Sequence, residues 1–276
     1  MRVFTATLFW LLATVSLAVA LPTAWAQTNL IDADGYARLA ERAAAQPALQ
    51  DAVAAELSSQ TVQLIRAAGF GIDPSEVREA AREYTAGPSF PPQFVKVNRE
   101  GHAWLLNVGD PGPWEIDVAP MLRDQAFAEL LSIYPVTLPA SLTVPLTSTS
   151  TEVMRPDGLH RLAVWGPLLS MVLAALAGLC AVLTLVAARH RGRALASLGV
   201  SALLVGAAGW SAIEVARRYL NHVLNQATGD IRRIAGALVD VAEGSLHLWL
   251  NLTLAAGAVL VLVGVGVALL GGLRKS

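Results

Sequence analysis

LAVWGPLLSMVLAALAGLCAVLTLVAA-RHRGR-ALASLGVSALLVGAAGWSAI, residues 162–213, is the stretch that decides the architecture. Two apolar runs, Leu162–Ala188 and Ala194–Ile213, are each long enough to cross a bilayer as a helix. Only Arg189-His190-Arg191-Gly192-Arg193 joins them, so they must run antiparallel. Val3–Ala26 and Leu246–Leu273 are two further runs of spanning length. Threaded from an inside N-terminus, the inner face collects Arg2, then Arg189, Arg191 and Arg193, then Arg274 and Lys275, with no acidic residue. Such an excess of basic residues sets orientation. The expected localisation is therefore a multi-pass protein of the cell membrane, with both termini cytoplasmic.

Composition agrees with a membrane chain. Hydrophobic residues are 54% and charged residues 15%, with a mean hydropathy of +0.51. Soluble domains carry more charge. The one sizeable polar region, 27–161, holds ten Lys/Arg and seventeen Asp/Glu, while the remainder is basic. An acidic domain outside the membrane is a poor partner for nucleic acid, which needs a basic patch. The only cysteine, Cys180, lies inside the second apolar run, so no disulfide within the chain can staple the exported domain.

The organisation follows from these runs. Residues 1–26 are an N-terminal transmembrane anchor or a signal peptide: Ala24-Trp25-Ala26 before Gln27 fits a small-x-small cleavage site, whereas the length fits an anchor. Residues 27–161 form the extracytoplasmic domain, and 162–188 the second span. A cytoplasmic loop (189–193), the third span (194–213), an outer amphipathic helical loop (214–245), the fourth span (246–273) and a cytoplasmic tail (274–276) complete the chain. The expected fold class is a membrane protein, an all-α transmembrane bundle of four helices plus a helix-dominated α+β ectodomain.

Within the ectodomain, Asp32 and Asp34 suit a helix start, Pro47 a first-turn position, and Asp73-Pro74 another helix start. Phe94 to Leu106 has helical spacing, as does Met121 to Ile133. Trp114-Glu115-Ile116-Asp117-Val118 alternates apolar and acidic residues, the pattern of a half-buried strand. Leu142 to Leu146 is a second strand that Pro145 confines to an edge or an end. In the outer loop, Leu220, Val223, Ala227, Ile231, Ile234, Leu238 and Val241 recur three or four residues apart. This amphipathic stripe suits packing under the ectodomain or lying on the outer leaflet.

Few residues carry chemistry. Asn98 and His102 share a helix face, and Glu115 and Asp117 share a strand face. A histidine with no second His or Cys nearby makes a poor metal site, because metal sites need converging ligands. A structural or interaction role is therefore expected for Asn98, His102, Glu115 and Asp117. No nucleophile elbow, phosphate loop or dinucleotide fingerprint is present, and no catalytic, metal or cofactor site is expected. Residues 163–188, 194–213 and 248–273 contain no Asp, Glu, Lys, Arg or His, whereas pumps and coupled transporters place such groups at membrane depth. Ala174 with Gly178, and Ala202 with Gly206, offer small faces for helix contact.

Several short motifs occur in an order that resembles one group of proteins. Asp32-Ala33-Asp34-Gly35-Tyr36 is followed by Gln46-Pro47-Ala48-Leu49-Gln50-Asp51, then by Asn98-Arg99-Glu100-Gly101-His102. Trp114 to Pro120 and Ala216-Arg217-Arg218-Tyr219-Leu220 come after these. Together they resemble actinobacterial four-span integral membrane proteins with a single ectodomain between spans one and two. Phe94 departs from the group's pattern, where a tryptophan is expected. The resemblance implies the architecture and no activity. The function expected is that of a non-enzymatic envelope protein whose outer domain binds a protein or envelope partner, in contact with the lipid bilayer. The alternatives are a channel, carrier or accessory transport subunit, and last an exported hydrolase using Glu115, Asp117 and His102.

Overall fold

The computed structural model describes residues 2–106, 115–134, 138–145, 156–224 and 229–273. The chain divides into two compact units. One comprises 29–162 with 220–242, and the other 1–28, 163–219 and 243–276.

The first unit is built from helices α2 (Ala33–Ala44), α3 (Pro47–Ala67), α4 (Pro74–Ala86) and α5 (Phe90–Leu106), which precede strand β1 (Glu115–Asp117). Short helices α6 (Ala119–Leu122) and α7 (Gln125–Ser132) and strand β2 (Thr143–Pro145) follow. Local chemistry sets the ends. Asp32 accepts from the Gly35 N–H at 2.7 Å and opens α2. Asp73 accepts from the Ser75 N–H at 2.9 Å and opens α4, with Pro74 in the first turn. α3 closes on Gly69, whose φ of +90° is the only positive value outside the common regions among the described residues. There the Phe70 N–H reaches the Ile65 carbonyl and the Gly69 N–H the Arg66 carbonyl, closing the helix by the two bonds of a Schellman motif. α5 starts at Phe90, four residues before the helix read from the sequence, because Pro91 and Pro92 fit a first turn that needs no N–H donors.

The core of this unit is aromatic. Tyr84, Phe90 and Phe127 are fully buried. The Tyr84 ring meets Phe90 edge-on at 5.7 Å and Phe127 at 5.8 Å, and Phe90 packs on Phe94 at 5.4 Å. Leu49, Leu57 and Ile65 of α3 and Leu122 of α6 complete it. Ala237 belongs to the same cluster, with Ile231, Ile234, Leu238 and Val241 packed on it. These residues form the N-terminal part of α10 (Gly229–Leu273), more than a hundred residues further along the chain. The part of the loop's apolar stripe from Ile231 to Val241 thus packs on the domain core, while Ala227 and the side chain of Val223 lie outside the described residues.

The α+β expectation for the ectodomain is not supported. Among the described residues the strands are three residues each, paired antiparallel with Ile116 opposite Val144. At one end the chain turns into α6 directly after Val118; at the other, Trp114 and Leu146, the outer ends of the two strands read from the sequence, lie outside the described residues. Among the described residues the domain is helical, with one short ribbon beside α5 and α6.

The second unit holds α1 (Arg2–Ala26), most of α8 (Pro156–Ala187) and of α9 (Arg191–Leu224), and the rest of α10. Four helices are long and apolar enough to span a membrane, the property of a multi-pass membrane protein. Side-chain bonds establish their directions. Trp10 Nε1 donates to the Ser197 carbonyl at 3.0 Å, and Thr14 Oγ1 lies 2.8 Å from Ser201 Oγ, so α1 and α9 run parallel. α10 returns antiparallel to both. Trp25 Nε1 reaches Ser245 Oγ at 3.3 Å, and Trp210 Nε1 donates to Asn251 Oδ1 at 3.3 Å. The α9–α10 seam is made by glycines. A Cβ on Gly192 would meet Ala268 N at 2.6 Å and one on Gly199 would meet Val261 N at 2.7 Å, while one on Gly206 would strike Leu254. These positions recur every seven residues and so stay on one face of the paired helices.

Candidate functional site

α2 and α5 pack along each other, and their seam assembles the residues of interest. Asn98 and His102 lie one turn apart on α5. Asn98 Nδ2 donates to the Phe94 carbonyl at 2.9 Å, which turns its Oδ1 toward α2. There the Tyr36 hydroxyl donates to Asn98 Oδ1 at 3.3 Å. The Tyr36 ring stacks on the His102 imidazole at 4.7 Å and 25°. His102 is buried, and its Nε2 lies 2.9 Å from the Leu30 carbonyl. A carbonyl only accepts, so Nε2 carries the proton. Leu30 sits in a π-helical turn, Gln27–Ile31, directly ahead of α2. His102 therefore ties α5 to the start of the domain and not to the strand region. Burial pushes the Tyr36 phenol above its ordinary range, keeping it a donor. Sequence spacing singled out Asn98 and His102, but Tyr36, 62 residues from Asn98, entered the sequence reading only as the last residue of the Asp32–Tyr36 motif.

Asp117 has a different use. Its Oδ1 accepts from the Ala119 N–H at 2.9 Å and from the Leu142 N–H at 2.8 Å. It thereby caps the turn into α6 and pins the β2 segment beside β1. Glu115 pairs by its backbone with Pro145, and its side chain lies outside the described residues. The structure thus joins Asn98 to His102 and employs Asp117 locally. Among the described residues, no three His, Cys, Asp or Glu side chains converge as a metal position.

Beside this seam, α2 and α5 leave an open groove of about 450 Å³. Its floor is Ala37, Pro91, Pro92 and Val95, and its rim is Asp34, Arg38, Glu41 and Arg99. Arg99 crosses to Asp34 at 2.8 Å with both side chains exposed. Two acids and two arginines thus border an apolar patch, and two of the four, Asp34 and Arg99, pair with each other.

In the membrane unit, Arg189, Arg191 and Arg193 are exposed at the turn between α8 and α9. Arg2 opens α1, while Arg274 and Lys275 lie outside the described residues. A second orienting feature escaped the sequence reading. Trp25 lies in the last turn of α1, Trp165 begins the apolar part of α8, Trp210 lies late in α9 and Trp249 near the middle of α10, at the start of its apolar run. All four occupy the end of the bundle opposite the arginines. Trp210 stacks on His247 at 3.9 Å. Tryptophans favour the headgroup level, where an apolar ring and an N–H donor are both satisfied. The signal was present in the sequence, but the four residues form one belt only after the helix directions are known.

No protein-family model, no curated protein and no solved structure matches this chain.

Proposed function

We propose that the protein is a non-enzymatic integral membrane protein of the cell envelope whose extracytoplasmic domain binds a protein or envelope partner. The observation that carries this reading is the open α2–α5 groove, with an apolar floor and charges of both signs on its rim. A partner held there sits on a domain whose core includes the start of α10, and the same helix continues as the fourth span. Binding outside is thus covalently linked to a membrane helix. The hydrolase alternative loses support, since His102 and Asp117 are bonded to backbone groups. The transport alternative finds no support in the α9–α10 contact, where backbones touch at Gly199 and Gly257. The ordered motifs from Asp32 to Leu220 support membership of the actinobacterial four-span group.

The orientation proposed has both termini in the cytoplasm and the ectodomain outside, with α1 retained as a helix of the bundle. The arginine turn at one end, the tryptophan belt at the other and the bonds from Trp10 and Thr14 to α9 support it. In a Cys180→Ala background, Ser150→Cys should label with an impermeant maleimide in intact cells. His190→Cys should label only after permeabilisation, and the reverse pattern overturns the orientation.

Partner binding is tested by a photo-crosslinking residue at Val95 of the full chain in its own membrane. An adduct of one defined mass is expected, absent with the crosslinker at Gln63 and lost in Arg38→Glu/Glu41→Arg. Failure to crosslink, combined with ion flux through the purified chain in liposomes, would replace this reading by the transport alternative.

A further inference from the structure

The turn between α8 and α9 holds three arginines that find no carboxylate within the chain's described residues. Arg189 lies in the connection, and Arg191 and Arg193 sit in the first turn of α9, all exposed. The nearest acids along α9 and α10, Glu214 and Glu243, stand at the other end of the bundle. They are engaged there by Arg218 at 3.6 Å and Arg217 at 3.4 Å. Between the arginines, Gly192 is buried with its backbone against Ala268 and Gly264 of α10. This contact clamps the backbone from which the arginines project. The first bond of α9 runs from the Ala194 N–H to the His190 carbonyl at 3.1 Å. The N–H groups of Arg191, Gly192 and Arg193 therefore have no acceptor in the helix.

Position along the bundle identifies what lies opposite these groups. Trp165 and Arg189 are separated by ~36 Å of helical rise, close to the span of a bilayer between its two headgroup regions. With Trp165 at one interface, the arginine turn lies at the other. We propose that Arg189, Arg191 and Arg193 form a binding surface for the phosphodiester headgroups of anionic phospholipids. A guanidinium stays charged at any physiological pH and grips phosphate oxygens two at a time. The helix N-terminus adds dipole and donors of the same sense. The inference rests on the helices crossing a bilayer and is independent of any ectodomain partner.

The test uses the purified full chain in a neutral detergent, with lipid adducts counted by native mass spectrometry. Short-chain phosphatidylglycerol is compared with phosphatidylcholine of equal chain length and with inorganic phosphate at equal concentration. Phosphatidylglycerol adducts should exceed phosphatidylcholine adducts and decline as salt is raised. Each arginine replaced among R189Q, R191Q and R193Q should weaken the preference about fivefold. The single variants keep the test readable if the triple variant does not fold. The distal triple variant R218Q/R232Q/R233Q should retain the preference. Equal binding of the two lipids, phosphate adducts as abundant as the lipid's, or a preference undiminished in the R189Q, R191Q and R193Q variants would each overturn the proposal.

Discussion

Gly199 on α9 and Gly257 on α10 face each other so closely that a methyl group built on either would meet the other's carbonyl oxygen. The distances are 2.7 Å from Gly199 and 2.8 Å from Gly257. Backbone thus packs on backbone, and the contact can relieve a clash only by moving a whole helix. In a bilayer, where lipid is as apolar as leucine, close van der Waals contact of this kind drives helix association. The small-residue pairs read from the sequence divide accordingly. Ala202 lies against Gly257, whereas nothing approaches within 4 Å of a Cβ on Gly178.

Two glycine-to-alanine changes should therefore act with opposite sign. Gly199→Ala overpacks the seam and should destabilise the protein by about 1–3 kcal/mol. Gly178→Ala meets nothing and should stabilise it by up to ~1 kcal/mol through helix propensity. Thermal unfolding of both variants in one detergent checks the pair. Equal shifts in the same direction would contradict the seam.

His102→Ala removes the donor to Leu30 and the ring that stacks on Tyr36. The ectodomain should lose about 1–3 kcal/mol, the usual cost of an unsatisfied buried group. Tyr36→Phe removes only the long bond to Asn98 and should cost less. The double variant should fall short of the sum, because both side chains belong to one cluster. Zinc or nickel should leave the melting temperature unchanged. A metal-dependent rise that disappears in His102→Ala would make the histidine a ligand.

Asp73 provides an acid-side test. The Ser75 N–H, and then the Ser75 hydroxyl, hold its carboxyl below the ordinary range. Folding thus favours the ionised form. The contribution is complete above the unfolded aspartate value near pH ~4 and is lost as pH falls through the lower folded value. The stability gap between wild type and Asp73→Ala should therefore narrow on acidification. A gap that persists at the lowest accessible pH would show that the cap acts without its charge. Tyr84 acts in the opposite sense: burial first, and the Asp124 charge second, raise its phenol. Its contribution is complete below the unfolded tyrosine value near pH ~10 and is lost as pH climbs beyond it.

The ectodomain should not reach full stability from residues 27–147 alone. That fragment leaves bare the surface covered by Ile231, Ile234, Ala237, Leu238 and Val241. It should bind a hydrophobic dye and melt broadly. Appending residues 230–242 through a flexible linker should raise and sharpen the transition. Identical melting of the two fragments would show that the α10 contribution is dispensable.

Where a signal is local, the sequence alone determined the outcome. The four spans follow from uninterrupted apolar length, because a bilayer requires about 20 such residues whatever surrounds them. The helix starts at Asp32 and Asp73 follow from side chains that bond N–H groups two or three residues away. Asn98 and His102 share a face by helical spacing. Tertiary structure decided what depends on distant partners. The alternation at Glu115–Asp117 promised a sheet, but Asp117 instead turns the chain into α6 and holds Leu142, leaving a three-residue ribbon. The stripe from Ile231 to Val241 had two possible burial partners, lipid or protein, with the same periodicity for either. Only the folded core showed which one covers it. The glycine seam was likewise silent in a chain rich in alanine and glycine. A missing side chain becomes informative only when another backbone lies against it, and that distance is a property of two helices together.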